Sequence, residues 1–145
     1  MKAVATLETL ENSPETGRYS EDSILRFNEG LIGFSDCKSF VLLESDGIAP
    51  FRRLQSTDRD DVGFLVLDTA YLAKNFLSIV PQREWESIGL TDPAARLAFV
   101  ICIIGATPAE STGNLQAPLI INYTNMTGRQ VILGESELSS RHPLI

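Results

Sequence analysis

From Ser23 onward the chain alternates short apolar runs with turn-forming punctuation. Ile24-Leu-Arg-Phe27, Ser39-Phe-Val-Leu-Leu-Glu44, Phe51-Arg-Arg-Leu-Gln55 and Val62-Gly-Phe-Leu-Val-Leu67 are separated by Gly30, Gly33, Gly47-Ile-Ala-Pro50 and Thr57-Asp-Arg-Asp-Asp61. Runs this short, rich in β-branched and aromatic residues and spaced this closely, predict strands of an antiparallel sheet or barrel. The middle of the chain changes period. Asp68 can cap a helix over Thr69–Ser78, in which Leu72, Phe76 and Leu77 share a face. A second short helix is predicted from Pro81, with Gly89 just past its end and with Trp85 and Ile88 packed inward.

After Asp92-Pro93 the β pattern returns. Arg96–Ile104 reads as a strand, and the apolar run Leu97–Ala106 has about half of the ~20 residues that a membrane-spanning helix requires. Glu110–Asn122 and Gly128–Leu133 read as a terminal hairpin, with Pro118 opening a strand and Asn125 and Gly128 supplying turn chemistry. The expected fold is therefore mainly β: a small antiparallel, barrel-like domain over residues 23–145 with one or two short helices in the middle. Residues 1–22, polar and interrupted by Pro14 and Gly17, read as a loosely ordered N-terminal arm.

With 145 residues, 43% hydrophobic and 21% charged, the chain has the composition of a globular domain with a sizeable core. The N-terminus reaches Glu8 and Glu11 too soon for the uninterrupted apolar stretch of a secretory leader. Cys37 and Cys102 are therefore expected as reduced thiols in the cytoplasm, Cys102 as a small core residue and Cys37 as an ordinary loop residue.

The formal net charge is −7. It is uneven, with 13 acidic and 7 basic side chains in residues 1–70 against 6 and 5 in the remainder. Phosphate recognition needs a surplus of Lys and Arg on one face, so nucleic acid is disfavoured as a direct ligand. Two readings of the carboxylates stand: a face for a basic protein partner, or ordinary surface charge that keeps a small protein soluble.

Catalytic signatures are weak. The lone histidine, His142, sits near the C-terminus and reads as solvated; one imidazole makes no metal site. Ser35-Asp-Cys-Lys38 fits a Ser-x-x-Lys spacing but lacks a helix and supporting motifs. Cys37 has no histidine base beside it. Asp58-Arg-Asp-Asp61 lacks the glycine and distal glutamate of a calcium loop. Gly30 and Gly33 are too few to cradle a phosphate and fit a turn with positive φ instead. The expectation is a non-enzyme without cofactor or metal, and its rival from another class is a small β-barrel that binds a metabolite or flavin.

Three blocks in register resemble the FliW flagellar assembly factor family. They are Phe27-Asn-Glu-Gly-Leu-Ile-Gly-Phe34, then Pro50-Phe-Arg-Arg-Leu-Gln-Ser56 with Phe64–Asp68, and Ser111–Asn122 with Gly128–Leu133. Ile32 stands where the family usually has proline, which removes a φ restraint from that loop. Thr69 replaces a frequent proline, and the N-terminal arm is longer than expected.

The resemblance implies a cytoplasmic regulator with two competing protein partners and no membrane or nucleic acid of its own. One is flagellin. The other is CsrA, a basic, dimeric, RNA-binding translational repressor. Free of flagellin, such a protein antagonises CsrA from a site beside its RNA-binding surface, which relieves repression of flagellin mRNA. The expected partner-binding residues lie in or beside the three blocks: Glu29, Asp58, Asp60 and Asp61 as carboxylates, and Gln55, Asn114, Gln116, Asn122 and Gln130 as amides. Each amide can present donors and acceptors to a partner or satisfy loop carbonyls of its own chain. Leu31, Phe34, Phe51, Leu54, Leu115 and Ile121 are expected in the core.

Overall fold

The computed structural model describes residues 21–72, 75–106, 110–134 and 140–144. The expected N-terminal arm lies outside these residues except for Glu21 and Asp22, which open a 3₁₀ turn at Glu21–Ser23.

The predicted strands form where the apolar runs stand. They are β1 (Ile24–Phe27), β2 (Ser39–Leu43), β3 (Arg52–Ser56), β4 (Gly63–Asp68), β5 (Leu97–Ile103), β6 (Thr112–Gly113), β7 (Leu119–Asn122), β8 (Thr127–Gln130) and β9 (His142–Pro143). The order β4-β3-β2-β1-β8-β7-β5 is closed by a β4–β5 pairing, so seven strands make a barrel, and β6 and β9 continue from β5 outside it. Neighbours are antiparallel except β1 and β8, which run parallel through Arg26↔Thr127 and Phe27↔Gly128. An odd number of alternating strands cannot close without one parallel pair, and here the pair joins the first strand to the last of the seven.

The barrel is filled. Leu25, Phe27, Phe40, Leu54, Phe64, Val66, Phe99, Ile101, Leu119 and Ile121 form one buried cluster drawn from six of its strands. Phe27 meets Phe40 edge-on with ring centroids 5.5 Å apart, and Phe34 meets Phe64 in the same way at 5.2 Å. Side chains therefore fill the lumen of the barrel.

β4, β5 and β7 read as continuous apolar runs because both of their faces are buried. Phe99 and Ile101 point into the barrel, while Ala98, Val100 and Cys102 join a second cluster with Leu67, Ile120, Phe76, Trp85, Ile88 and Leu115. The chain between β4 and β5 covers this outer face. Asp68 caps as expected, its side chain accepting from the Ala70 N–H at 2.9 Å. The helix predicted over Thr69–Ser78 is replaced, however, by two 3₁₀ turns at Thr69–Tyr71 and Phe76–Ser78. Asn75 stands before the second with φ 62°, a left-handed conformation that Asn tolerates and a helix does not.

The second predicted helix forms as α1 (Gln82–Ser87), and Gly89 follows it with φ +80°. Trp85 is fully buried, with the Arg96 guanidinium 5.2 Å above its ring.

The terminal hairpin forms with a shifted turn. Tyr123–Met126 connects β7 to β8, and Met126 takes the positive φ of 55°. Gly128 lies inside β8 rather than in the turn. A Cβ there would come within 2.5 Å of the Phe27 ring, so glycine is what lets that ring fill the barrel at its seam. His142 is likewise not simply solvated at a free end, since it pairs with Gly113 in β9.

Candidate functional site: one end of the barrel

Strand direction sorts the loops into two ends. β1, β3, β5 and β8 finish at the end where β2, β4 and β7 begin. Residues 28–38, 57–62, 104–106, 110–118 and 131–134 therefore gather there. Eight of the nine residues expected to bind partners lie at this end: Glu29, Gln55, Asp58, Asp60, Asp61, Asn114, Gln116 and Gln130. Asn122 ends β7 and lies at the other.

The loops at this end are braced from below. Gly30 and Gly33 have φ of +70° and +86°, and a Cβ on Gly30 would sit 2.7 Å from Ser35 Cα. Leu31 and Phe34 bridge across the loop and turn inward, which leaves Ile32 at its tip, 60% exposed. The Ile32 N–H donates to Gln130 Oε1 at 2.8 Å, while Gln130 Nε2 donates to the Ala117 carbonyl at 3.2 Å. Asn114 Oδ1 accepts from the Gln116 N–H at 3.0 Å, and the Gln116 carbonyl accepts from the Leu133 N–H at 2.8 Å.

The carboxylates divide by role. Asp58 accepts from the backbone N–H groups of Lys38 and Ser39 at 2.8 and 3.1 Å, so it pins loop 57–62 to the start of β2. Arg59 bridges Asp36 and Asp61 at 3.4 and 3.1 Å, and the hydrogen bond it donates to Asp61 raises its pKa above the ordinary arginine value. Asp60 is exposed and gives its backbone carbonyl to Gln55. Glu29 pairs with Arg129 at 3.0 Å, and Arg129 also reaches Glu84 of α1 at 3.1 Å.

Two of the expected amides are internal. Gln55 is 1% exposed, and its Nε2 donates to the carbonyls of Ser56, Asp60 and Val62 at 3.0–3.3 Å. Asn122 is 4% exposed, donates to the Ile88 carbonyl at 2.8 Å and accepts from the Thr124 N–H. These two take the loop-bracing role. Asn114, Gln116 and Gln130 are half-buried and reach solvent as well as their loop partners.

Sequence reasoning passed over the apolar part of this end. Ile103, the last residue of β5, is 55% exposed. Ile32 and Ile103 flank a cavity of about 300 Å³ whose lining also includes Phe64, Ile101, Asn114 and Gln130. Ile103 was legible only as the end of an apolar run, without a sign that β5 outlasts its pairing with β4 there. A larger apolar groove of about 600 Å³ lies outside the barrel among Phe51, Leu67, Tyr71 and Ile104, and none of its lining residues is a carboxylate.

Both thiols are buried and free; burial pushes Cys37 up, and Cys102 is pushed up to about 12 by the same cause. Among the described residues no three His, Cys, Asp or Glu side chains gather as a metal site, and no helix is long and apolar enough to cross a membrane.

Comparison with known proteins fits this architecture. The FliW protein family model matches residues 10–144. The chain belongs to the FliW family. The flagellar assembly factor FliW of Leptospira interrogans is 34% identical over 129 residues, which is 88% of this chain and 86% of that protein. FliW of Natranaerobius thermophilus is 33% identical over 135 residues, covering 91% and 89% of the two chains. A crystal structure of the flagellar assembly factor FliW superimposes with a TM-score of 0.80 at 30% identity over 88% of this chain and 89% of that one. The match to the FliW model begins at residue 10 and so takes in part of the expected arm.

Proposed function

We propose that this chain is a cytoplasmic, non-enzymatic regulator of flagellar assembly that works by occupying protein surfaces. It binds flagellin. When flagellin has left, it binds CsrA beside the RNA-binding surface and antagonises it, so that flagellin mRNA is translated.

The match to the FliW family over residues 10–144 carries this reading. Two features of the molecule support it. The net charge of −7 favours encounter with a basic protein and disfavours RNA in the same complex by like-charge repulsion. The barrel lumen is filled by Phe27, Phe40, Phe64 and Phe99, which leaves the outer surface for recognition.

The test is copurification. The tagged full chain, expressed in a motile host together with that host's CsrA and flagellin, should retain each protein stoichiometrically through gel filtration, and added flagellin should displace CsrA. A bound chromophore or low-mass ligand in place of both proteins would overturn the reading.

A further inference from the structure

The structure assigns the cavity between Ile32 and Ile103 as the docking point of the basic partner, taking one aliphatic or aromatic side chain that the partner presents between Lys or Arg residues. This rests on the preceding reading and names the surface on which it acts.

Three observations converge on it. First, two isoleucines stand 60% and 55% exposed on either side of one opening, and its floor is Phe64 and Ile101 of the barrel core. Apolar groups this exposed around a concavity mark a contact surface more often than an ordinary exterior. Second, the opening has the anatomy of an interface hot spot: an apolar centre of about 300 Å³, wide enough for a side chain, with the Asn114 and Gln130 amides at its rim. The rim is held in place before any partner arrives, because Gln130 is fixed between the Ile32 N–H and the Ala117 carbonyl, and Gly30 and Gly33 hold the turn that carries Ile32. Preorganisation of this kind lowers the ordering cost of binding.

Third, charge selects the occupant. The loop that carries Ile32 also carries Glu29 and Asp36, and loop 57–62, which leads into Phe64, carries Asp58, Asp60 and Asp61. The two cations among them, Lys38 and Arg59, are engaged: Lys38 Nζ donates to the Asn28 carbonyl, and Arg59 bridges Asp36 and Asp61. A segment with Lys or Arg on each side of an apolar anchor matches both the field and the cavity.

The experiment is titration calorimetry of the full chain with purified CsrA and, separately, with purified flagellin. The variants are Ile32→Glu, Ile103→Glu and, as a control outside the cavity on the chain between β4 and β5, Ile79→Glu. All three isoleucines are at least 44% exposed, so folding should survive, and circular dichroism checks that. Ile32→Glu and Ile103→Glu should each weaken CsrA binding at least tenfold, with Ile79→Glu within twofold of the unchanged chain. Affinity within twofold in both cavity variants, or an equal loss in Ile79→Glu, overturns the proposal. So does loss of flagellin binding with CsrA binding intact, which gives the cavity to the other partner. Failure of the unchanged chain to bind either protein brings down the functional reading itself, and the docking assignment with it.

Discussion

Cys102 sits in β5 with its Sγ 3.6 Å from the Val100 carbonyl and no exposed surface, and burial pushes its thiol up to about 12. Burial disfavours the thiolate, so the folded form holds its proton at pH values where the unfolded chain has lost it. Stability from this group is complete below the ordinary thiol value of 9.0 and is lost as pH rises towards about 12. Two outcomes follow. A thiol reagent at pH 8 should label neither cysteine in the native protein and both in denaturant. Cys102→Ala should flatten the fall in stability between about pH 9 and 12, by no more than about 1.4 kcal/mol per pH unit for one proton. One equivalent of rapid native labelling, or an unchanged alkaline slope, would show the burial argument to be wrong. The sequence already placed Cys102 in the core, because it interrupts an apolar run. Gln55 and Asn122 were harder: an amide at a strand end reads the same whether it faces a partner or a loop carbonyl, and only the fold shows that both are sealed inside.

At the level of elements, most strands were legible because their runs are bounded by Gly, Pro or Asp clusters that favour turns. What the pattern left out was closure. The β1–β8 pairing joins positions about 100 residues apart through two residue pairs, and nothing local marks it. Gly128 read as a turn residue because glycine next to Thr127 after Asn125 has turn chemistry; its reason for being glycine is Phe27, on the neighbouring strand. Gly128→Ala should therefore cost about 1–3 kcal/mol in chemical denaturation, since a fully buried ring cannot retreat without strain. Phe27→Leu in the same chain should relieve part of that, with a coupling of about 0.5 kcal/mol or more in a double-mutant cycle. Additive costs would mean that the seam does not hinge on this contact.

The helix predicted over Thr69–Ser78 failed for a related reason: its apolar spacing suits either one helix or two 3₁₀ turns, and Asn75 in the left-handed region decides for the turns. α1 has six residues, too few to persist by propensity. Packing of Trp85 holds it, and the Asn122 and Asn125 amides both donate to the Ile88 carbonyl just beyond its end, at 2.8 and 3.0 Å. Asn122→Ala should cost about 1 kcal/mol through the lost buried hydrogen bond, since the Asn125 amide still serves the Ile88 carbonyl. Hydrogen exchange should speed up in α1 before it does in β2 or β3. Uniform loss of protection would assign Asn122 to the hairpin alone.

For the whole molecule, the sequence carried the charge imbalance but not its address. Glu44 and Asp46 stand in the β2–β3 connection at one end of the barrel. Glu29 and Asp36, and Asp58, Asp60 and Asp61, come from two loops separated by β2 and β3, and strand direction alone brings those loops to the other end. Their charges are not equivalent there. Asp58 is committed to the Lys38 and Ser39 N–H groups, and replacing it should damage the start of β2 as well as binding. Asp60 uses only its backbone carbonyl in the fold, and Asp61 makes one exposed pair with Arg59. They are the sites where charge can change with little structural cost, because exposed ion pairs contribute little to stability.

Asp60→Lys with Asp61→Lys raises the formal net charge from −7 to −3, two units for each reversal. Association with CsrA should slow about tenfold at low salt, and the slope of log affinity against log salt should become shallower. The thermal midpoint should move by no more than a few degrees. At high ionic strength, where the Debye length falls to about 3 Å at 1 M, the double variant and the unchanged chain should converge. Divergence that persists at high salt would mean that the two aspartates make short-range contacts instead of a steering field. Equal affinities at every salt concentration would remove loop 57–62 from the interface and leave the cavity between Ile32 and Ile103 to select its partner by shape alone.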